Sequence, residues 1–149
     1  MTGEYGNGYI THSKRVDCEY LSTRLRSQDA AEIPHGITTF EALDYGRVNG
    51  ISLTVFYKDL PVMIFGGVPC DGYSDIWMVG TPDIFKIRRE LLTYGKKFAM
   101  TVIGDKPYGS NAVWVGNKQS LRWLKFIGAE FSDAIIKDDK EFLPFKLYK

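Results

Sequence analysis

Cysteine and histidine are scarce in this chain: its 149 residues hold two of each, Cys18 and Cys70, His12 and His35. No Cys-x-x-Cys pair occurs, and so few soft ligands argue against a zinc site. The two cysteines lie far apart and read as ordinary reduced thiols, not as a disulfide. Long apolar runs are missing, and none approaches the roughly 20 residues that a membrane-crossing helix needs. The first nine residues lack the charged start and apolar stretch of a secretory signal. Charge of one sign is not in excess either, since 19 Lys and Arg face 18 Asp and Glu. A net charge of +1 gives no general pull towards a polyanion or a membrane. Lys86, Arg88, Arg89, Lys96 and Lys97 nevertheless form a local basic cluster.

What is present is the material of one globular domain spanning 1–149, with 44% hydrophobic and 25% charged residues. Three glycines within residues 1–8 predict a flexible arm. A short strand follows near Tyr9–Thr11. The spacing predicts a helix over Asp17–Glu32, with Tyr20, Leu21 and Leu25 inside and Arg24, Arg26, Gln28 and Asp29 mostly outside. Pro34 and Gly36 end it, and a short second helix over Phe40–Tyr45 stops at Gly46. Two β-rich runs, Ile51–Tyr57 and Pro61–Gly67, read as a hairpin turning at Lys58-Asp59.

Ser74–Val79 is a further strand. Thr81 then caps a helix, Pro82 takes its first position and Asp83 places a carboxylate in its first turn. That helix is expected to close at Gly95, with Phe98–Ile103 extending or flanking it. Ala112–Val115 is an apolar strand, Lys118–Ile127 an amphipathic helix closed by Gly128, and Phe131–Ile136 and Phe142–Tyr148 the last strands. The fold class expected is α/β, a mixed, mostly antiparallel sheet with helices on both faces.

Asn117, Ser120, the apolar residues Leu121 and Leu124, and Gly128 stand at spacings that resemble the GNAT acyltransferases, and the element order resembles theirs as well. Here Ala129 and Glu130 intervene before the aromatic Phe131. A closer resemblance, to phage-encoded GNAT-like proteins that include small internal virion proteins of short-tailed phages, is carried by three sets of blocks. These are Leu25-Arg26 to Glu32, Ile76-Trp77 to Pro82, and Val113–Asn117 with Arg122-Trp123-Leu124 and Gly128–Phe131. The resemblance implies phage virion or host proteins as partners, reached by protein–protein contact in the host cytoplasm or the virion.

The GNAT resemblance also implies a place for acetyl-CoA, whose diphosphate sits on bare backbone N–H groups at a helix start. The family loop reads Gln/Arg-x-x-Gly-x-Gly/Ala; here it reads Val79-Gly80-Thr81-Pro82-Asp83-Ile84. Val79, Gly80, Thr81, Asn117 and Ser120 are the positions that would face a cofactor. Pro82 removes a donor, Thr81 can satisfy another, and Asp83 opposes an anion. Lys86, Arg88 or Arg89 reaching back to phosphate is the alternative to their being a charged outer face.

The tyrosine that serves many family members as acid is replaced by Leu124, and Tyr73, Tyr94 and Tyr108 lie elsewhere. Asp75 and His35 are the candidate bases, against readings as a strand-edge carboxylate and a surface histidine. Ser74 and Cys70 have no partnered base. The expectation is therefore a degenerate active site: a non-catalytic protein without a cofactor. The alternative is an acetyl-CoA-dependent N-acetyltransferase acting on a small amine or a protein amine.

Overall fold

The computed structural model describes residues 2–149. Strands β1 (Gly3–Tyr5) and β2 (Gly8–His12) form an antiparallel hairpin. This corrects the flexible arm expected over residues 1–8, of which Met1 lies outside the described residues. Gly6, at φ 62°, supplies the left-handed residue that a two-residue hairpin turn requires. The hairpin is then tied down. Asn7 N–H donates to Glu90 Oε1 at 3.1 Å, and the Tyr5 ring meets Tyr94 and Phe98 edge-on.

The single helix expected over Asp17–Glu32 is instead α1 (Arg15–Ser22) and a one-turn α2 (Ser27–Ala30). The break has a cause: Arg26 N–H leaves the helical pattern to donate to Gly80 O at 2.8 Å. Helix α3 (Thr39–Asn49) starts in a capping box of Thr38 and Glu41 and runs on through Gly46, the expected stop. Gly46 serves packing instead. A Cβ there would stand 2.5 Å from Cζ2 of Trp77.

Strands β3 (Ile51–Tyr57) and β4 (Leu60–Pro69) form the predicted hairpin, with Lys58 and Asp59 both left-handed at φ 49° and 67°. Strand β5 (Ser74–Gly80) lies antiparallel to β4. A 3-10 turn (Pro82–Ile87) leads into α4 (Arg88–Ile103). This helix also passes its expected stop, Gly95, against which the Trp123 indole packs. Strand β6 (Tyr108–Trp114) and α5 (Lys118–Phe126) follow. The strand expected over Phe131–Ile136 is two short ones, β7 (Glu130–Phe131) and β8 (Ile135–Lys137), both paired with β9 (Lys140–Tyr148).

The sheet order is β1-β2-β3-β4-β5-β6-β9-β7, with β8 also on β9. Every pairing is antiparallel except β5 with β6. Because side chains alternate along a strand, β4 and β5 feed two apolar layers. Ile64 and Val79 pack with Cys18 and Leu21 of α1 and Leu43 of α3. Met63, Phe65 and Ile76 pack with Phe98 and Val102 of α4 and Leu124 of α5. The expected mixed α/β architecture, with helices on both faces, is the observed one.

Candidate functional site

Strands β5 and β6 run side by side over only two residue pairs, Ser74↔Gly109 and Asp75↔Ser110. Asn111 Nδ2 still bridges to Ile76 O at 2.8 Å, and beyond it the two strands part. Backbone groups bared in such a fork must find other partners, and α2 and the turn that follows it supply them. Gly80 N–H, at the end of β5, donates to Asp29 Oδ2 at 2.9 Å. Trp114 N–H, at the end of β6, donates to Glu32 Oε1 at 2.8 Å.

Two side chains hold these carboxylates in place. Arg26 donates through Nε and Nη2 to both oxygens of Asp29, at 2.9 and 3.0 Å, the two-pronged geometry in which Arg–carboxylate pairs are strongest. Its Nη1 donates to Gln119 Oε1 at 2.8 Å, and Nη2 reaches Ser120 Oγ at 3.5 Å. Asn117 Nδ2 donates to Asp29 Oδ1 at 3.0 Å and Glu32 Oε2 at 2.7 Å. Asp29 and Asn117 are fully buried, and Arg26 nearly so. The reading of Arg26 and Asp29 as mostly outside is thus corrected: their charges cancel in the fork, which is why it can hold them. Burial raises the Glu32 carboxyl above its usual range, against the hydrogen bonds from Trp114 and Asn117.

A cavity of about 510 Å³ opens beside this network. Its walls are largely apolar, with Trp77, Phe98 and Leu124 among them. Its charged groups are Asp29, Glu32, Glu41 and Asp75, with Lys137 the one amine. Leu124, at the family's acid position, is buried in the core and lines the cavity as hydrocarbon.

The two candidate bases part company. Asp75 lines the cavity, and burial holds its carboxyl above the ordinary Asp range in spite of Lys137. The His35 side chain is two-thirds exposed and faces Asp138, with Nδ1 3.7 Å from Oδ1. It does not line the cavity, although its neighbours Pro34 and Ile37 do. Tyr94 packs on Tyr5 and Phe98. Tyr73 and Tyr108 stack on each other, flanking the paired end of β5 and β6 and away from the fork.

Asp75 gives a pH test. A carboxyl whose folded pKa is raised binds its proton more tightly in the folded state, so stability falls as pH climbs from about 4 through the folded value. Asp75→Asn removes that loss. Its melting temperature is expected to exceed that of the native chain at pH 7, with the gain gone below pH 4; thermal unfolding at the two pH values checks this.

Of the positions marked for a cofactor, Gly80, Thr81, Asn117 and Ser120 serve as donors and acceptors to the protein itself. Thr81 N–H donates to Val62 O at 3.0 Å. Pro82 has no N–H. Asp83 N–H goes to Thr81 Oγ1 at 3.2 Å, and Ile84 N–H to Thr81 O at 3.0 Å. From Gly80 to Ile84 every backbone donor therefore has an internal partner. The Asp83 carboxylate adds negative charge beside this entrance, with Lys86 Nζ 3.5 Å away. Asn117 and Ser120 face the Arg26–Asp29 pair, and Val79 belongs to the apolar layer under α1 and α3. No backbone N–H is thus left bare between Gly80 and Ile84.

Arg26 and Asp29 escaped recognition as site residues because a helical reading turns them outward, and Glu32 because it reads as the last residue of that helix. The signal available was the i, i+3 spacing of an arginine and an aspartate, a pair that can close on itself. Among the described residues no three His, Cys, Asp or Glu side chains gather as metal ligands, and no helix is long and apolar enough to cross a membrane.

No protein-family model and no curated protein sequence matches the chain. Solved structures do. A spermidine N-acetyltransferase chimera from Vibrio cholerae and hSSAT superposes with TM-score 0.71 at 10% identity, covering 96% of each chain. A GNAT-family acetyltransferase from Bacillus anthracis gives 0.62 at 16%, covering 99% of this chain and 98% of its own. The yncA protein of Salmonella typhimurium, with its cofactor acetyl-CoA, gives 0.64 at 12%, covering 96% and 94%. At such identities the likeness is one of architecture, and the architecture is the GNAT acetyltransferase fold.

Proposed function

We propose that this chain is a non-catalytic GNAT-fold protein that works by binding a macromolecular partner and does not use acetyl-CoA. The observation that carries the reading is the state of Gly80. Its N–H is taken by Asp29 and its carbonyl by Arg26 N–H, so α2 occupies with its own atoms the strand end beside which the cofactor loop begins. Freeing these groups would expose a buried Arg–Asp pair, which is costly. Calorimetric titration with acetyl-CoA tests the proposal. No saturable heat is expected into the millimolar range, and one-to-one saturable binding would sink it.

The finer reading is of a phage protein that meets virion or host partners inside the infected cell or is packed with the particle. It is supported by the sequence blocks around Leu25, Ile76 and Val113 described above. Mass spectrometry of purified virions is its test, and absence from the particle removes the virion role.

One observation favours a second reading, that of an N-acetyltransferase acting on a small amine or a protein amine. Asp75 faces a cavity richer in carboxylates than in cations, a setting that attracts an amine and can accept its proton. The kind of the structural neighbours agrees with it. The same titration separates the readings, because this one requires acetyl-CoA to bind.

A further inference from the structure

Charge is not spread evenly over this near-neutral chain. Helices α4 and α5 carry seven of the 19 cationic side chains and one of the 18 carboxylates. That carboxylate, Glu90, is buried and turned to the Asn7 backbone. It therefore does not offset the cations at the surface.

The two helices belong to one side of the molecule. Both pack into the apolar layer of Phe98 and Leu124, and Trp123 Nε1 of α5 donates to Leu91 O of α4 at 3.3 Å. At 3.6 residues per turn, Arg89 and Lys96 fall on the outward stripe of α4 with Arg88 beside them. Lys118, Arg122 and Lys125 fall on the outward stripe of α5. All six are exposed. Among the described residues none of the six pairs with a carboxylate, whereas Lys86, just before α4, is matched with Asp83.

We infer that this face binds the phosphate backbone of nucleic acid, a role beyond the protein contacts proposed above. Charge complementarity carries the inference. A run of cations with no surface carboxylate among them matches a polymer of uniform negative charge. A protein interface would instead be poor in lysine at its centre and richer in aromatics. A second copy presenting the same face would be repelled. A membrane would need a broad apolar band beneath the cations, and here only Leu92 and Phe126 stand exposed on these helices. Recognition of this kind positions a backbone without reading bases, so no sequence preference is expected.

The test is fluorescence anisotropy with a labelled DNA duplex of about 20 base pairs, long enough to cover several phosphate contacts. The native chain is compared with R89E/K96E/R122E, whose changes lie on exposed positions. Binding by the native chain is expected to weaken about 100-fold between 50 and 200 mM salt, as release of counterions from about four phosphates requires. The variant is expected to bind at least about tenfold more weakly with unchanged circular dichroism and melting temperature. Absence of saturable duplex binding at 50 mM salt overturns the inference. So does a folded variant that binds as well as the native chain. Binding to phosphatidylserine vesicles with none to the duplex overturns it in favour of a membrane.

Discussion

Asp29→Ala is expected to lower the melting temperature by about 10 °C or more, the largest loss from changing any one charged residue of this chain. The loss follows from what the carboxylate holds. It faces the Arg26 guanidinium through both oxygens, accepts Gly80 N–H and accepts Asn117 Nδ2. Alanine leaves a buried cation and a buried amide without their acceptor. Breaking one side of a buried pair costs about 3–5 kcal/mol, and each kcal/mol shifts a domain of this size by about 2–4 °C.

The comparison with Arg26→Ala is informative. That change strands the carboxylate, so it too is severe, yet the double variant loses both charges together. Its cost is expected to fall well short of the sum, because neither charge is then left unmatched. Thermal unfolding of the four proteins at pH 7 measures the coupling. Additive losses would mean that the two side chains act independently, contrary to the geometry.

Gly46→Ala is the second large effect, and its sign is the point. In an exposed helix the change from glycine to alanine gains up to about 1 kcal/mol. Here the new methyl would meet the Trp77 indole 2.5 Å away, at a site with no room. Overpacking of that kind costs about 1–3 kcal/mol, so a net loss of stability is expected. Trp77→Leu in the same chain opens the space and is expected to make Gly46→Ala neutral or favourable. Denaturant unfolding of the single and double variants decides the matter. If Gly46→Ala stabilises the chain that keeps Trp77, the tight packing of α3 on β5 is refuted.

These two sites also show what the sequence discloses and what it hides. The Lys58-Asp59 turn, the cap built by Thr81, Pro82 and Asp83, and the closure at Gly128 were all legible. In each the cause lies within a few residues of the signal. Gly46 and Gly95 misled for the opposite reason. Glycine reads as a helix stop because it is a poor helix former, yet these two are kept by indole rings from Trp77 and Trp123, 31 and 28 residues away. The arm misled likewise, since its tethers are Glu90, Tyr94 and Phe98. Of the candidate site, the capped start at Thr81 could be read, because Pro82 and Asp83 are part of it. Its main occupant could not. Arg26 and Asp29 look like solvent-facing helical residues until the separation of β5 from β6 creates a place that calls for them.

The way the sheet is joined has a mechanical consequence. Strands β1 to β5 form one zigzag whose neighbours follow each other in the chain, and β6 to β9 form a second block gathered on β9. The seam between them is two backbone pairs long, and α2 with the turn after it is the clasp, Asp29 gripping the first block and Glu32 the second. A load pulling the blocks apart meets this clasp before it meets any complete ladder of strand pairing. Rupture there breaks no strand pairing within either block, and what then resists is the apolar layer they share, from Ile76 and Phe98 to Val113 and Phe145.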